Sequence, residues 1–460
     1  MTSPAGTEPA TIGDDTTAAP HDALGLSERW ALANPRSKAL AERARRVLPA
    51  GVTHDVRRAE PFPLAVERAS GAHKWDVDGH EIICYVMGHG ALLLGHSHPE
   101  VVEAVRRQAP LMFHPGAGHE LEAEWAEMVV SLVPSAETVR FTSSGTEAAM
   151  LALRLARAAT GGRRVVKLAG HFHGWGDQVS YGAYPPFEGP DTAGLPAVLS
   201  DAVSVVPAEA QALAETLQAG DVAAVILEPS GAAWGTVPFP PGLLASARAL
   251  TEAAGCVLIF DEVVTGFRWS PGGVQARAGV TPDLTVLGKI LAGGMPGGAV
   301  AGRADIMGEL ALDRGDPRHV GHPGTHNAHP LSAAAGIATL RLVGSGEPQE
   351  KADRLAASLR QGLTSVLAEA GIPGRAYGEA STFHLLLGHD EPPEELGLEV
   401  LKTGVSPESF AELHNGMLLE GVQLFHGAGF LSSAHSEDDV ARTVDALAAT
   451  LAGLPPDTVW

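Results

Sequence analysis

The chain has 460 residues and a mass of 47.5 kDa, 45% of it hydrophobic and 19% charged, which exceeds one ordinary domain and suits a globular protein with ample core. Its net charge is −22, from 32 basic and 54 acidic residues, so it repels nucleic acid and anionic membranes, and any anion it binds needs a local site. Two cysteines, Cys84 and Cys256, give no disulfide framework and suit a reducing cytoplasm.

Residues 1–27 are rich in Ala, Thr, Pro and Asp. They lack the basic start and apolar run of a secretory signal, and a disordered tail is expected. No later apolar run is long enough to cross a bilayer. Residues 28–90 are expected to join a smaller domain formed mainly by residues 336–460, with a large domain over residues 91–335 between them.

Within the large domain, short β-branched runs alternate with helical patterns. Val139–Thr142 reads as a strand, followed by a Ser143-Ser144-Gly145 turn and a helix from about Thr146 to Gly161. Val165–Leu168 and Val203–Val206 read as strands, Ala208–Leu217 as a helix stopped by Gly220, and Val222–Leu227 as a strand. A helix opened by Pro240-Pro241 closes at Gly255, and Val257–Phe260 and Leu284–Leu287 are apolar strands of the kind buried on both faces. This alternation predicts an α/β fold with a mainly parallel sheet flanked by helices. Past Ala333 the pattern becomes a long helical region with strands at Phe383–Leu387 and Val422–Phe425 and a last helix over Asp438–Leu451, as in a smaller α+β domain.

Three features fall on one edge of that sheet. Lysine is scarce, with six in the chain, and Lys289 directly follows a buried strand and precedes a glycine-rich run. Ligands bind at the carboxyl ends of such strands, although a surface lysine would also suit this context. Asp261 follows the strand Val257–Phe260. A carboxylate there can keep a pyridinium nitrogen protonated, or simply cap a loop. Ser143-Ser144-Gly145-Thr146 joins a strand to a helix, where backbone amides and hydroxyls can cradle a phosphate or form an ordinary helix cap. Together they match the needs of pyridoxal 5′-phosphate (PLP): an amine for the aldehyde, an acid for the ring nitrogen and amides for the phosphate.

Longer motifs carry a resemblance. Ser144–Ala148, Phe172-His173-Gly174, Phe260–Arg268 and Leu287-Gly288-Lys289 resemble those of the fold-type I, class III aminotransferases. Val77-Asp78-Gly79, Gly95–Pro99 and Ala428-Gly429-Phe430 are similar to the glutamate-1-semialdehyde 2,1-aminomutase branch. The resemblance spans roughly residues 40 to 450. It implies that Lys289 carries PLP as a Schiff base and that Asp261 pairs with the ring nitrogen. It also implies that Ser144, Gly145 and Thr146 hold the phosphate, with Thr325 reaching in from a partner subunit of a homodimer. Phe172 and Val263 would cover the two ring faces, Glu228 would lie near the ring hydroxyl, and Arg57 would grip a substrate carboxylate.

The departures bear on the reaction. The mutase-like Glu-Pro-Val-Ala-Gly-Asn is here Glu228-Pro229-Ser230-Gly231-Ala232-Ala233, and Gln-Phe-Glu-Ala-Gly-Phe is Phe425-His426-Gly427-Ala428-Gly429-Phe430. The Gly-Ser-Gly gating loop is replaced by Tyr184–Phe187, and Gly-Thr-Leu-Ser-Gly-Asn-Pro by Gly324–Pro330. The expectation is therefore an aminotransferase acting between an amino acid or related amine and a keto compound. An intramolecular aminomutase, an amino-acid epimerase and a catalytically dead PLP-fold binding protein are the alternatives. No metal is expected, since the His96-x-His98 and His171-x-His173 pairs lack a third ligand at a recognisable spacing.

Overall fold

The computed structural model describes residues 24–454. Residues 1–23 of the expected tail lie outside that range, and the first helix, Leu26–Ala33, begins inside its last two residues.

The central sheet has seven strands. Their spatial order is Thr138–Thr142, Gly298–Gly302, Leu284–Gly288, Val257–Asp261, Val222–Leu227, Arg164–Leu168 and Val203–Val206. All pairings are parallel except those of Gly298–Gly302, which runs antiparallel to both neighbours. The parallel strands are near-continuous Val, Ile, Leu and Ala because helices cover both faces. Val225, Ile226, Leu258 and Ile259 have no exposed surface, and burying each such aliphatic side chain contributes about 1.5–3 kcal/mol. The helix Gly145–Thr160 lies on one face through Ala148, Ala149, Ala152 and Ala156, residues small enough for close approach. It stops at Gly161, whose φ of +71° supplies a left-handed cap.

The antiparallel strand was not expected from the sequence. Gly298-Ala299-Val300-Ala301-Gly302 lacks the β-branched run that marks its neighbours, because it threads a tight space. A Cβ on Gly298 would fall 2.3 Å from the Ser144 carbonyl oxygen.

Two smaller sheets complete the fold. Val66–Ser70, His73–Asp76 and Glu81–Cys84 form an antiparallel meander, whose last strand pairs in parallel with Val422–Gln423. The segment before Ala91 thus packs with the C-terminal part of the chain. Gly374–Tyr377, Thr382–Leu387 and Ala428–Phe430 form the third sheet. The last helix, Glu437–Ala452, opens on a Ser436/Asp439 capping box. No helix among the described residues is long and apolar enough to cross a membrane.

Candidate active site

Because the flanking strands run the same way, one sheet edge gathers Ser143–Thr146, His171–His173, Glu228, Asp261 and Lys289. Ligands of open α/β sheets lie at this edge.

Ser144 caps the helix Gly145–Thr160 in extended conformation, its Oγ accepting from the Glu147 amide at 3.2 Å. The Glu147 carboxylate turns back to accept from the Ser143 amide at 2.9 Å. That leaves the Gly145 and Thr146 amides, which have no intrahelical acceptor, at the positive end of a 16-residue helix. Space here is tightly measured. A Cβ on Gly145 would lie 2.7 Å from Val263 Cγ2, and one on Gly174 would lie 2.4 Å from Thr146 Oγ1. Only bare backbone fits, which is the requirement for amides to approach a phosphate.

Asp261 ends its strand with Oδ1 accepting from the Val263 amide at 3.1 Å and Oδ2 bonded to His173 Nδ1 at 2.8 Å. Both side chains are buried, and His173 Nε2 is a buried atom with no hydrogen-bond partner. Glu228 accepts from three amides, Phe172 at 2.8 Å, Ala233 at 3.1 Å and Trp234 at 2.9 Å. Its own amide donates to His171 Nδ1 at 2.9 Å. Burial raises the Glu228 pKa; the Asp261 charge adds to this, while His173 and the amide bonds oppose it. Phe172, held at its amide, keeps 47% of its surface exposed on this edge.

Lys289 starts the short turn Lys289–Ala292 with φ +52° and is partly exposed. Burial lowers the pKa of its amine, opposed by the charges of Asp261 and Glu228 and reinforced by Arg268. Two other lysines approach, but both are tied. Lys167 Nζ donates to the carbonyls of Val179 and Tyr181 at 3.0 and 2.5 Å. Lys402 Nζ donates to the Gly170 carbonyl at 3.2 Å and lies over the Tyr184 ring.

Arg57 closes the turn Asp55–Arg57 and donates to Thr53 Oγ1 at 3.2 Å. The preceding His54 stacks on His89, ring centroids 5.2 Å apart. His89 belongs to the turn Met87–Gly90, which packs against Lys289–Ala292. Burial first, then the charges of His54, Arg57 and Lys289, push the His89 imidazole down to about 4. Arg57 and Lys289 therefore bear on one neutral ring. His426 Nε2 bonds the Val56 carbonyl at 3.3 Å, tying the loop 425–427 to the same turn. His89, Ala233, Trp234, Lys289 and His426 all hold left-handed backbone, with φ between +50° and +58°. Such non-glycine positions concentrate at functional sites.

One expected residue stays apart. Thr325 lies on an exposed loop, its carbonyl accepting from His114 Nε2. Among the described residues no hydrogen bond joins it to Ser144–Thr146. The sequence also left the Asp261 partner unidentified: Phe172-His173-Gly174 was read for its ring-stacking position, and His173 carries the bond. Arg268 was likewise unassigned. Fully buried, it donates to the carbonyls of Gly90 and Leu431 and to Ser381 Oγ, each at 2.9 Å.

Comparison with known proteins adds to this geometry. Residues 55–375 match the family model for class-III aminotransferases. A curated relative, glutamate-1-semialdehyde 2,1-aminomutase of Chloroflexus aurantiacus, is 40% identical over 443 residues, covering 93% of this chain and 98% of the relative. Among solved structures, an omega-transaminase from Sphaerobacter thermophilus superposes with a TM-score of 0.83 at 35% identity, over 90% of this chain and 97% of that one. A glutamate-1-semialdehyde aminomutase variant from Pseudomonas aeruginosa PAO1, in complex with PMP, gives 0.85 at 26% identity, over 94% and 97% of the two chains.

Proposed function

The chain belongs to the class-III aminotransferases and is a PLP-dependent enzyme of fold type I, and from that premise we propose that it transfers an amino group from an amino acid to a separate keto acid through Lys289. When bound, PLP supplies an aldehyde that condenses with amines and a protonated ring that draws electrons from the substrate Cα. With PLP bound, Lys289 Nζ would take the proton from that Cα and deliver it to the cofactor carbon that carried the aldehyde, so that the nitrogen stays with the cofactor and the keto product leaves. Burial disfavours the protonated form of that amine, against the opposing charges of Asp261 and Glu228.

Asp261 holds the proton on the ring nitrogen, and His173 fixes which way that carboxylate faces. The Gly145 and Thr146 amides, with Ser144 beside them, bind the phosphate, a neutral cradle in keeping with an acidic protein. Val263, wedged between Gly145 and Gly288, covers one ring face and Phe172 the other. Glu228 stands near the ring hydroxyl, and Arg57 binds the substrate carboxylate. Thr325 completes the phosphate site of the neighbouring subunit in a homodimer, a role in keeping with its making no hydrogen bond to its own cradle among the described residues. The two free, buried cysteines are in keeping with a reducing compartment such as the cytoplasm.

The observation that carries transfer between two substrates is Gly427, which has no side chain and so offers no carboxylate where the mutase-like pattern has Glu. A Cβ there would meet nothing within 4 Å, so no neighbour excludes a larger residue. Ala233 likewise stands where that pattern has an amide. A mutase must retain a twice-aminated intermediate until it turns over, and desolvated partners of such a cation are each worth about 1–3 kcal/mol. The second reading is intramolecular transfer within glutamate 1-semialdehyde. The names of the curated relatives favour it more directly than they favour transfer between two substrates.

One experiment separates them. Purified holoenzyme is mixed with a panel of amino acids and no acceptor; accumulation of the pyridoxamine form with release of a keto product is expected. Efficient conversion of glutamate 1-semialdehyde to 5-aminolevulinate without added keto acid would overturn the proposal in favour of the second reading.

A further inference from the structure

Beside Lys289 the site has an aromatic wall in place of amides. Trp234 is fixed at its amide by Glu228 Oε2, 2.9 Å away. Its ring is wedged between His384 and Phe430, at centroid distances of 4.3 and 4.4 Å. The Phe425 ring lies 6.2 Å from Trp234, and His89 meets Phe425 edge to face at 5.3 Å. His89 in turn stacks on His54 of the segment that carries Arg57. A continuous π surface therefore runs from Glu228, past the turn that packs on Lys289, to the arginine. Trp234, Phe425 and His89 are each partly exposed.

The wall is rigidly held. Arg268 donates to the carbonyls of Gly90 and Leu431, joining the His89 turn to the strand that ends at Phe430. The chemistry of the wall is equally defined. Phe425 stands where the mutase-like pattern has Gln, and Ala233 where it has Asn, so a ring and a methyl replace two amides at this edge. Held near pKa 4, His89 is uncharged at neutral pH and presents a ring face. Aromatic faces and edges favour another aromatic ring by about 0.5–1.5 kcal/mol beyond the burial of its area.

The geometry points to an aryl-bearing carboxylic acid as the ligand of this site, its ring against Trp234, Phe425 and His89 and its carboxylate at Arg57. This names the substrate class of the proposed transfer. It rests on that reading only for the amino group.

The test is a binding measurement on holoenzyme, using acids without an amine and following the absorption of the bound cofactor. 3-Phenylpropanoate should bind at least tenfold more tightly than butanoate or pentanedioate. Phe425→Gln should lose that preference, and Phe425→Leu, which keeps an apolar contact, should lose part of it. Arg57→Gln should weaken all three acids alike. Pentanedioate binding as tightly as 3-phenylpropanoate, or a preference unchanged in Phe425→Gln, would overturn the inference. An enzyme that prefers the aryl acid yet passes no amino group to any keto acid would sink the transfer reading and leave this inference standing.

Discussion

His173 Nδ1 and Asp261 Oδ2 lie 2.8 Å apart in a buried pair joined across 88 residues of chain. An imidazole that donates to one carboxylate oxygen fixes the plane of the carboxylate. Asp261→Asn should keep PLP bound and slow Cα deprotonation by about a hundred- to ten-thousand-fold. His173→Asn should slow it less, by about tenfold or more. Deuterium exchange at the substrate Cα measures the step directly, and native-rate exchange in Asp261→Asn would remove that residue from the role.

Lys289→Ala should leave the fold intact and abolish covalent attachment of the cofactor, lowering turnover by at least about a thousandfold. Borohydride reduction of wild-type holoenzyme followed by peptide mapping should label Lys289 alone. Lys402 and Lys167 are the natural competitors, and their carbonyl partners argue against both. Label on either would contradict the assignment.

Gly145→Ala places a Cβ 2.7 Å from Val263 Cγ2. The helix start must move or Val263 must turn away, and either change disturbs the phosphate cradle. Cofactor affinity should fall about ten- to a hundredfold. In Gly145→Ala/Val263→Ala the clash is relieved, so part of the affinity should return in a PLP titration. No loss in the single variant would show that the phosphate sits elsewhere.

Arg57→Gln should raise KM for a carboxylate-bearing donor about tenfold or more while changing kcat little, the pattern expected when a charged hydrogen bond serves binding alone. A simple amine without a carboxylate should be unaffected. Equal effects on both substrate types would make Arg57 a structural residue.

Stability should carry a pH dependence traceable to His435. This ring is fully buried, stacks on Tyr85 and bonds both the amide and Oγ of Ser432. Burial lowers its pKa from 6.5 to about 4, with the Asp439 charge partly opposing. Below pH 6.5 the unfolded chain therefore takes up a proton that the folded chain refuses. Stability from this group is full above pH 6.5 and is lost as pH falls toward 4. Between pH 7 and 5 the wild type should lose about 2 kcal/mol more than His435→Gln. Denaturant melts of the two proteins at both pH values check this, and parallel losses would contradict it.

The parallel strands were legible because Val257–Asp261 and its neighbours are buried on both faces and must be continuously apolar. Gly298–Gly302 was not, since a strand that allows no Cβ near Ser144 cannot carry the β-branched pattern by which strands are read. Lys289, Asp261 and Ser144–Thr146 were legible as a set, because the sheet brings all strand ends to one edge. The His173–Asp261 pair was not, since no local period reports a contact 88 residues apart. The approach of Arg57 to His89 was hidden for a further reason. It depends on the left-handed turn at Met87–Gly90, and only two of those four residues are glycine.

Those left-handed positions set a limit on how the protein can change. An L-residue held at positive φ costs roughly 1–2 kcal/mol against glycine, so His89, Ala233, Trp234, Lys289 and His426 together forgo several kcal/mol. That is a large part of the 5–15 kcal/mol by which a domain is ordinarily stable. At Ala233 glycine would make a sturdier chain, whereas at the other four it would delete a ring or the amine itself. Selection for heat resistance alone would thus erode this site first. A lineage that keeps it must hold its reserve elsewhere, in the alanine-faced helix and the doubly covered strands, where each lost methylene would draw that reserve down by about 0.8 kcal/mol.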